Sequence, residues 1–195
     1  MDHIWTPWRY TYVTQADKGT RQGIAEELAP YYKEDRQCVF CNLLGCVDAA
    51  IAGGMDRDAA ERAGLLVARG EHNYVCLNRY PYTSGHVMVV PYAHEASLAG
   101  LAAEAAQEMM AMAQQAERAL AAIYSPDGYN FGLNLGKAAG AGVQNHLHMH
   151  AMPRWTGDTN FMTVVGETRV LPEDLAVTWE RVRGVWGAGR TGERA

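Results

Sequence analysis

The segment His146 to His150 alternates imidazole with apolar side chains. Because a β-strand points successive side chains to opposite faces, residues two apart share one face. The three histidines would therefore line one face of a strand, while Leu147 and Met149 point toward a hydrophobic core. The chain has seven histidines in 195 residues, and three of them lie within these five positions. A surface strand with scattered polar residues is the less favoured interpretation. Imidazole is a nucleophile, an acid–base group and a metal ligand, so the segment predicts a metal site or a phosphate-handling site.

The hydrophobic pattern predicts the elements around this segment. Three strands, a long helix and two further strands follow one another. Their short links favour antiparallel pairing, so we predict an α+β domain: an antiparallel β-sheet with the long helix on one face. Pro172 and Gly184 are placed to begin and end a terminal helix. The predicted ranges are 65–68, 74–77, 86–90, 129–135 and a histidine-rich strand ending at 153, with helices over 98–123 and 172–183 and a short helix or mobile insertion over 45–63.

Composition narrows the class of protein. The chain is 48% hydrophobic and 20% charged, which is typical of a globular protein. A formal net charge of −5 argues against a general nucleic-acid binder, which would usually carry a basic surface. No apolar run approaches the length that a bilayer requires, and the polar start Met1-Asp2-His3 has no signal-peptide core. We therefore expect a cytoplasmic protein that binds neither nucleic acid nor membrane.

Four cysteines stand at positions 38, 41, 46 and 76. Cys38 and Cys41 have the CxxC spacing that binds a metal or forms a redox pair. A structural disulfide is not expected in a reducing cytoplasm, and CxxC supplies only half of a zinc site. Cys46 and Cys76 are expected to be ordinary buried thiols.

Several motifs together resemble the histidine triad (HIT) family. Residues 146–153 (HLHMHAMP) resemble its HxHxH signature, and residues 84–94 resemble the preceding strand that ends in proline with a histidine three residues later. The CxxC segment is similar to the zinc clip of many bacterial members. The resemblance covers about residues 38–155, between an N-terminal extension, 1–37, and a C-terminal extension, 156–195, that carries the terminal helix. Residues 5–9 and 153–161 resemble the branch of diadenosine tetraphosphate phosphorylases and adenylyltransferases.

The resemblance implies chemistry at the α-phosphate of a nucleotide, with adenine nucleotides as expected substrates. His148 corresponds to the nucleophile, which forms a nucleotidyl-histidine that water or phosphate resolves. Its other ring nitrogen is expected to contact a carbonyl acceptor. His150, about 7 Å further along the strand, would protonate or hydrogen-bond the leaving group. His146 would hold the charge of the site or bind metal.

The resemblance also implies nucleotide-binding positions. Asn78 corresponds to a ribose contact and Asn134 to a contact near the α-phosphate, although a hydrogen bond within a turn is the alternative for each. The glycine-rich loop 136–142 offers backbone N–H groups, including that of Gly142, to phosphate oxygens. Val143 departs from the usual serine or threonine, so only its N–H remains there, with Gln144 or Asn145 as substitute donors.

A second departure concerns the end of the triad. The transferase branch typically has glutamine where this chain has His150. Because an imidazole can act as an acid and an amide cannot, His150 favours a hydrolase or phosphorylase. A nucleotide-binding regulatory module with vestigial catalysis is the alternative. A catalytic metal held by all three histidines is disfavoured, since ligands about 7 Å apart along a strand do not converge on one ion.

The resemblance implies a structural zinc ion held by Cys38, Cys41, His94 and His146. If His146 binds zinc, it cannot also be a free proton carrier. His86 is expected to support a turn or another side chain. A homodimer is also expected, in which the aromatic N-terminal segment and the terminal helix would be covered.

Overall fold

Nine regular elements and two 3-10 helices make up the part of the chain that the computed structural model describes, residues 24–158 and 173–186. The strands are β1 (Leu66–Arg69), β2 (Asn73–Leu77), β3 (Val87–Pro91), β4 (Gly128–Leu133) and β5 (Met149–Arg154). The α-helices are α1 (Val39–Ala52), α2 (Arg57–Ala63), α3 (Ala103–Tyr124) and α4 (Leu175–Trp186), and the 3-10 helices are Glu26–Tyr31 and Lys137–Ala139.

The five strands form one antiparallel sheet in the order β1-β2-β3-β5-β4. β5 lies between β3 and β4, where His150 pairs with Met88 on one side and with Gly132 on the other. The long helix and the antiparallel sheet confirm the predicted α+β class. The histidine-rich segment therefore leads into an interior strand of the sheet.

The face of the sheet that carries Val87, Val89 and Met149 packs against α3. α3 is rich in strong helix formers, and an apolar stripe of residues three and four positions apart contacts the sheet. The stripe comprises Leu101 just before the helix and, within it, Ala105, Met109, Met112, Ala116 and Leu120. The opposite face, with Tyr74, Cys76 and Met88, packs against α1, so the sheet is covered on both sides.

Residues 45–63 are not a mobile insertion. They contain most of α1 and all of α2, and Val47 and Ala50 are fully buried. α1 begins just after Cys38, inside the CxxC segment, and Asp56 caps α2 by accepting from the N–H of Ala59 at 3.0 Å. The predicted alternative of a short helix is correct in type, and the structure has two helices here, which tertiary packing stabilises.

The terminal helix α4 packs against α3 and β1 of its own chain. Trp179, Val182 and Trp186 are buried in the α3-side core, and Gly184 lies inside the helix instead of past its end. The Trp179 Nε1–H also donates to the Leu66 carbonyl at 2.7 Å. The helix therefore packs on its own chain, and the prediction of a homodimer stays a prediction.

Some predictions fall on residues 1–23 and 159–172, outside the described residues: the aromatic start of the chain, Pro172 and the last three residues of segment 153–161. Among the helices that the structure describes, none combines the length and apolar character that a bilayer span requires.

Candidate active site

The three histidines of the predicted triad are buried on the α1 side of the sheet, with 2%, 5% and 7% of their surfaces exposed. Leu147 and Met149 point into the α3-side core, as the alternating pattern predicts. The strand begins only at Met149, however, because β3 and β5 pair no further than Val89 with Met149. Before that point the Leu147 N–H donates to the Glu95 carbonyl at 2.6 Å, and His146 and His148 stand in the approach to the strand.

His148 has the carbonyl acceptor that the sequence predicts. Its Nδ1 lies 2.9 Å from the carbonyl oxygen of His146, and a carbonyl can only accept, so Nδ1 carries the proton. In the neutral ring Nε2 then holds the lone pair. Burial lowers the pKa of His148, and the hydrogen bond to the carbonyl only partly opposes this effect. The ring is therefore uncharged at neutral pH, with a nucleophilic nitrogen at Nε2.

His150 is held by His86, which is buried at the beginning of β3. His86 Nδ1 accepts from the Tyr82 N–H at 3.1 Å, so in the neutral ring the proton is on Nε2. That Nε2–H donates to His150 Nδ1 at 2.9 Å. The neutral tautomer of His150 then presents an N–H at Nε2. His86 thus supports both the turn and another histidine, as the sequence predicted.

A row of aromatic rings connects these residues, and the sequence analysis did not predict two of its members, Phe40 and Tyr82. The ring of Phe40 lies 5.0 Å from that of His148 and 5.4 Å from that of His146, measured between centroids. The rings of His148 and His150 are 4.9 Å apart. Tyr82 contacts His150 at 5.9 Å. The available signal was the position of Phe40 between the two cysteines of the CxxC segment.

The two cysteines meet two histidines beside this row. One ligand atom from each of Cys38, Cys41, His94 and His146 lies within 4.8 Å of all the others. His146 Nδ1 is 3.2 Å from Cys38 Sγ and 3.5 Å from Cys41 Sγ, and His94 Nδ1 is 3.3 Å from Cys41 Sγ. Tetrahedral zinc with sulfur and nitrogen ligands separates such atoms by about 3.6 Å. The set could therefore hold a metal ion, and the donor types are those that zinc prefers.

Hydrogen bonding directs His146 toward this cluster. Its Nε2–H donates to the Pro91 carbonyl at 2.9 Å, so Nδ1 faces the cysteines with a lone pair. Burial lowers the pKa of His146 to about 4, which keeps the ring neutral as a metal ligand must be. Burial also raises the pKa of Cys38 to about 11, so a nearby cation would be needed to stabilise its thiolate. His148 and His150 do not belong to the metal-binding group found among the described residues.

The predicted nucleotide-binding residues lie at the ends of strands and in the glycine-rich loop. Asn78 follows β2, and its Oδ1 accepts from the Tyr80 N–H at 2.9 Å, which is the hydrogen bond within a turn that was the alternative for this residue. Asn134 follows β4 and is half-buried. Gly142 is half-buried, and the loop before it turns at Gly136 and Gly140, whose φ angles are +77° and +80°.

The valine that replaces a hydroxyl residue packs instead of pointing outward. Val143 is half-buried against the α1-side core, so its side chain contributes no donor. The Asn145 amide donates to the Gln37 carbonyl at 3.3 Å, while Gln144 is exposed. Of the two predicted substitute donors, Asn145 is therefore already engaged.

Comparison with known proteins places this arrangement in a family. The HIT domain profile matches residues 60–157, which contain His94 and the triad but neither Cys38 nor Cys41. A Mycobacterium tuberculosis protein named AP-4-A phosphorylase is 34% identical over 186 residues, covering 95% of this chain and 85% of the relative. The chain belongs to the HIT family.

Solved structures share the fold of this chain. A Zn-bound histidine triad family protein from Mycobacterium smegmatis matches with a TM-score of 0.58 at 26% identity, covering 80% of this chain and 97% of the other. A diadenosine triphosphate hydrolase from Plasmodium falciparum matches with a TM-score of 0.53 at 14% identity, covering 64% and 77%, which supports the fold alone. The α+β architecture with a HIT-like sheet is thereby confirmed.

Proposed function

We propose that this HIT protein cleaves dinucleoside polyphosphates at the α-phosphate through a nucleotidyl intermediate on His148. One observation carries the proposal: the Nδ1–H of His148 donates to the His146 carbonyl, which leaves Nε2 free to attack. Burial lowers the pKa of His148, so the attacking ring is uncharged at neutral pH. The similarity to the protein named AP-4-A phosphorylase supports diadenosine tetraphosphate as the substrate to test.

The reaction has two steps. In the first, His148 Nε2 forms a bond to the α-phosphorus while the bond to the bridging oxygen breaks and its electron pair leaves with the polyphosphate. The ring becomes cationic, and the His146 carbonyl stabilises it through the Nδ1–H. In the second step, water or inorganic phosphate attacks phosphorus, and the electrons of the P–N bond return to Nε2. The loop Gly136–Gly142 is proposed to donate backbone N–H groups, including that of Gly142 and of the following Val143, to the phosphate oxygens.

We assign His150 to the leaving group as a hydrogen-bond donor. Its Nδ1 accepts from His86, so in the neutral ring the proton is on Nε2, and we assign that N–H to the departing oxygen. Full proton transfer is not required, because a nucleoside polyphosphate is a stable anion after the bond breaks. We also propose that Asn78 contacts the ribose and that Asn134 contacts the α-phosphate region.

We further propose that Cys38, Cys41, His94 and His146 hold a structural zinc ion, and the similarity to the Zn-bound protein from Mycobacterium smegmatis supports this assignment. Four protein ligands leave no coordination position open, so the ion would stabilise and orient its ligands. In that role His146 has both ring nitrogens engaged, one by the cluster and one by the Pro91 carbonyl. We therefore assign His146 to the metal and not to proton transfer.

The His148→Ala variant tests the proposal. We expect turnover of diadenosine tetraphosphate to be abolished while nucleotide binding persists, and mass spectrometry of quenched wild-type enzyme to find a nucleotidyl group on His148. His72→Ala, in the turn between β1 and β2, is the matched control and should keep wild-type activity. Full activity of His148→Ala would refute the mechanism.

The reaction products show whether water or inorganic phosphate is the second substrate. With phosphate present, a phosphorylase converts diadenosine tetraphosphate to ADP and ATP, whereas a hydrolase gives AMP and ATP whether or not phosphate is added. The packed side chain of Val143 supports the alternative of a regulatory module with weak catalysis. Tight nucleotide binding by the wild-type protein with no histidine adduct would favour that alternative.

We also propose a homodimer in which β4, an edge strand of the sheet, takes part. The other edge strand, β1, is partly closed, because its Leu66 and Val67 carbonyls accept from Trp179 and Arg183 of α4. Among the strands that the structure describes, β4 pairs with β5 alone, and its Phe131 is 39% exposed. We expect Phe131→Glu to shift the protein toward monomer in sedimentation velocity at micromolar concentration. A wild-type protein that sediments as a monomer there would refute the dimer.

A further inference from the structure

Phe40 is a buried aromatic side chain between the two cysteines of the proposed metal site. It lies in the first turn of α1 and is 6% exposed. Its ring contacts His148 with centroids 5.0 Å apart and planes at 51°, and it contacts His146 edge-on, at 5.4 Å and 72°. One ring thus contacts both a proposed metal ligand and the proposed nucleophile.

The hydrogen bond to the His146 carbonyl does not by itself fix the ring of His148. One bond at Nδ1 sets the tautomer, but the ring can still tilt about that contact, and such a tilt moves Nε2. A neighbouring side chain in van der Waals contact removes this freedom, because interiors are close-packed and side chains there occupy single rotamers. Phe40 supplies this contact from the side of α1.

The Phe40 ring and the His146 carbonyl, which both restrain His148, are connected to the four proposed metal ligands. Phe40 is joined through the chain to Cys38 and Cys41, and the carbonyl that accepts from His148 belongs to His146. The residues that would bind the metal ion would therefore also fix the Phe40 ring and the His146 carbonyl, the two groups that contact His148. The alternative is that Phe40 only fills the α1-side core, in which Leu43 of the same helix is also buried.

We propose that Phe40 is a positioning residue that holds the imidazole of His148 in its attacking orientation. This inference rests on the proposed function of His148 as the nucleophile. It separates Phe40 from ordinary core residues, since loss of a core residue lowers stability whereas loss of a positioning residue lowers the rate of the folded enzyme.

The experiment compares Phe40→Ala with Leu43→Ala in the zinc-loaded full chain, using diadenosine tetraphosphate. Misplacement of a reacting group by about 1 Å can cost about 100-fold in rate, so we expect Phe40→Ala to lower kcat by about 10- to 100-fold, with KM within about threefold. Leu43→Ala should keep kcat within about threefold while lowering the melting temperature. Zinc content should stay at the wild-type value in both variants, because no ligand is changed.

A spectroscopic readout tests the same idea without turnover. In ¹⁵N-histidine spectra, the wild-type ring of His148 should show one tautomer with the proton on Nδ1. Phe40→Ala should shift or broaden that signal and Leu43→Ala should not. If His148→Ala retains activity, the proposed function fails, but the spectrum still decides whether Phe40 orients the ring.

Equal kcat values for folded Phe40→Ala and Leu43→Ala, or an unchanged His148 signal in Phe40→Ala, would overturn the inference. Should Phe40→Ala not fold, Phe40→Leu decides, because it keeps most of the apolar volume without the planar ring. A lowered kcat at wild-type zinc content then supports the inference, and a wild-type kcat overturns it.

Discussion

The contact between His86 and His150 offers a sharp test of how the site works, because two conservative substitutions separate its two hydrogen bonds. His86 accepts from the Tyr82 N–H through Nδ1 and donates to His150 through Nε2–H. A glutamine amide nitrogen reaches the place of the imidazole Nε2, so His86→Gln keeps a donor for His150. An asparagine oxygen reaches the place of Nδ1, so His86→Asn keeps an acceptor for Tyr82.

The magnitude follows from burial. His86 is 1% exposed, its bond to His150 is buried and its bond to the Tyr82 N–H is partly buried, so removing either bond costs about 1–3 kcal/mol. We expect both variants to lower the free energy of unfolding by about that amount. In His86→Asn the donor from residue 86 to His150 is lost, and the same energy expressed in the transition state corresponds to a kcat loss of about 5- to 150-fold. His86→Gln should stay within about tenfold of the wild-type kcat.

The assay combines steady-state cleavage of diadenosine tetraphosphate with urea unfolding of each variant. Comparable stability of the two variants makes their kcat values directly comparable. Equal kcat losses in His86→Asn and His86→Gln would refute the reasoning, since the donor to His150 would then have no effect of its own.

Three further predictions concern the metal site, the carboxylate of Glu108 and the indole of Trp179. Cys38→Ser should lower bound zinc, measured by atomic absorption, and lower the melting temperature, whereas loss of zinc without loss of stability would argue against a structural ion. Burial raises the pKa of Glu108, but hydrogen-bond donors that include the Asn73 side chain lower this pKa overall. The carboxylate therefore stabilises the fold at pH values above its unfolded pKa, and this stabilisation is lost as the pH falls through the lower folded pKa. Glu108→Gln should cost about 1–2 kcal/mol at pH 7 and progressively less in acid, and a difference that stays constant with pH would contradict this. Trp179→Phe removes the buried hydrogen bond to the Leu66 carbonyl and should cost about 1–3 kcal/mol in urea unfolding, with near-wild-type stability as the contrary result.

Elements with a strong local pattern were predictable from the sequence. The helix Ala103–Tyr124 repeats its apolar residues at steps of three and four, and it buries the stripe that this repeat predicts. The alternation around Leu147 and Met149 gave the correct faces, yet the strand begins later than predicted, at Met149. Strand ends depend on where the neighbouring strand stops pairing, and that information is not local.

The bounds of helix α1 and the surface that α4 covers could not be predicted, because both depend on tertiary contacts. α1 contains Gly45 and has no basic residue in its last turn, so its local signals are weak. α4 is amphipathic, but its sequence does not reveal which surface it covers. That surface includes the carbonyl of Leu66, which is more than 100 positions away along the chain.

The cluster of Cys38, Cys41, His94 and His146 followed from the family resemblance together with metal-ligand chemistry, and the structure brings all four together. The partners of His148 and His150 were only partly predictable. A carbonyl acceptor for His148 was expected as a class, whereas the donation from His86 to His150 depends on the register that pairs Met88 with His150.

His146 links the two halves of the site, since it contributes to each through a different group. Its imidazole faces the two cysteines, and its backbone carbonyl accepts from the Nδ1–H of His148. A substitution at His146 that removes the imidazole leaves this carbonyl in place, but it removes both the metal contact and the bond to the Pro91 carbonyl. Because the carbonyl is held by a segment whose side chain bonds the Pro91 carbonyl, that bond couples the orientation of His148 to the end of β3.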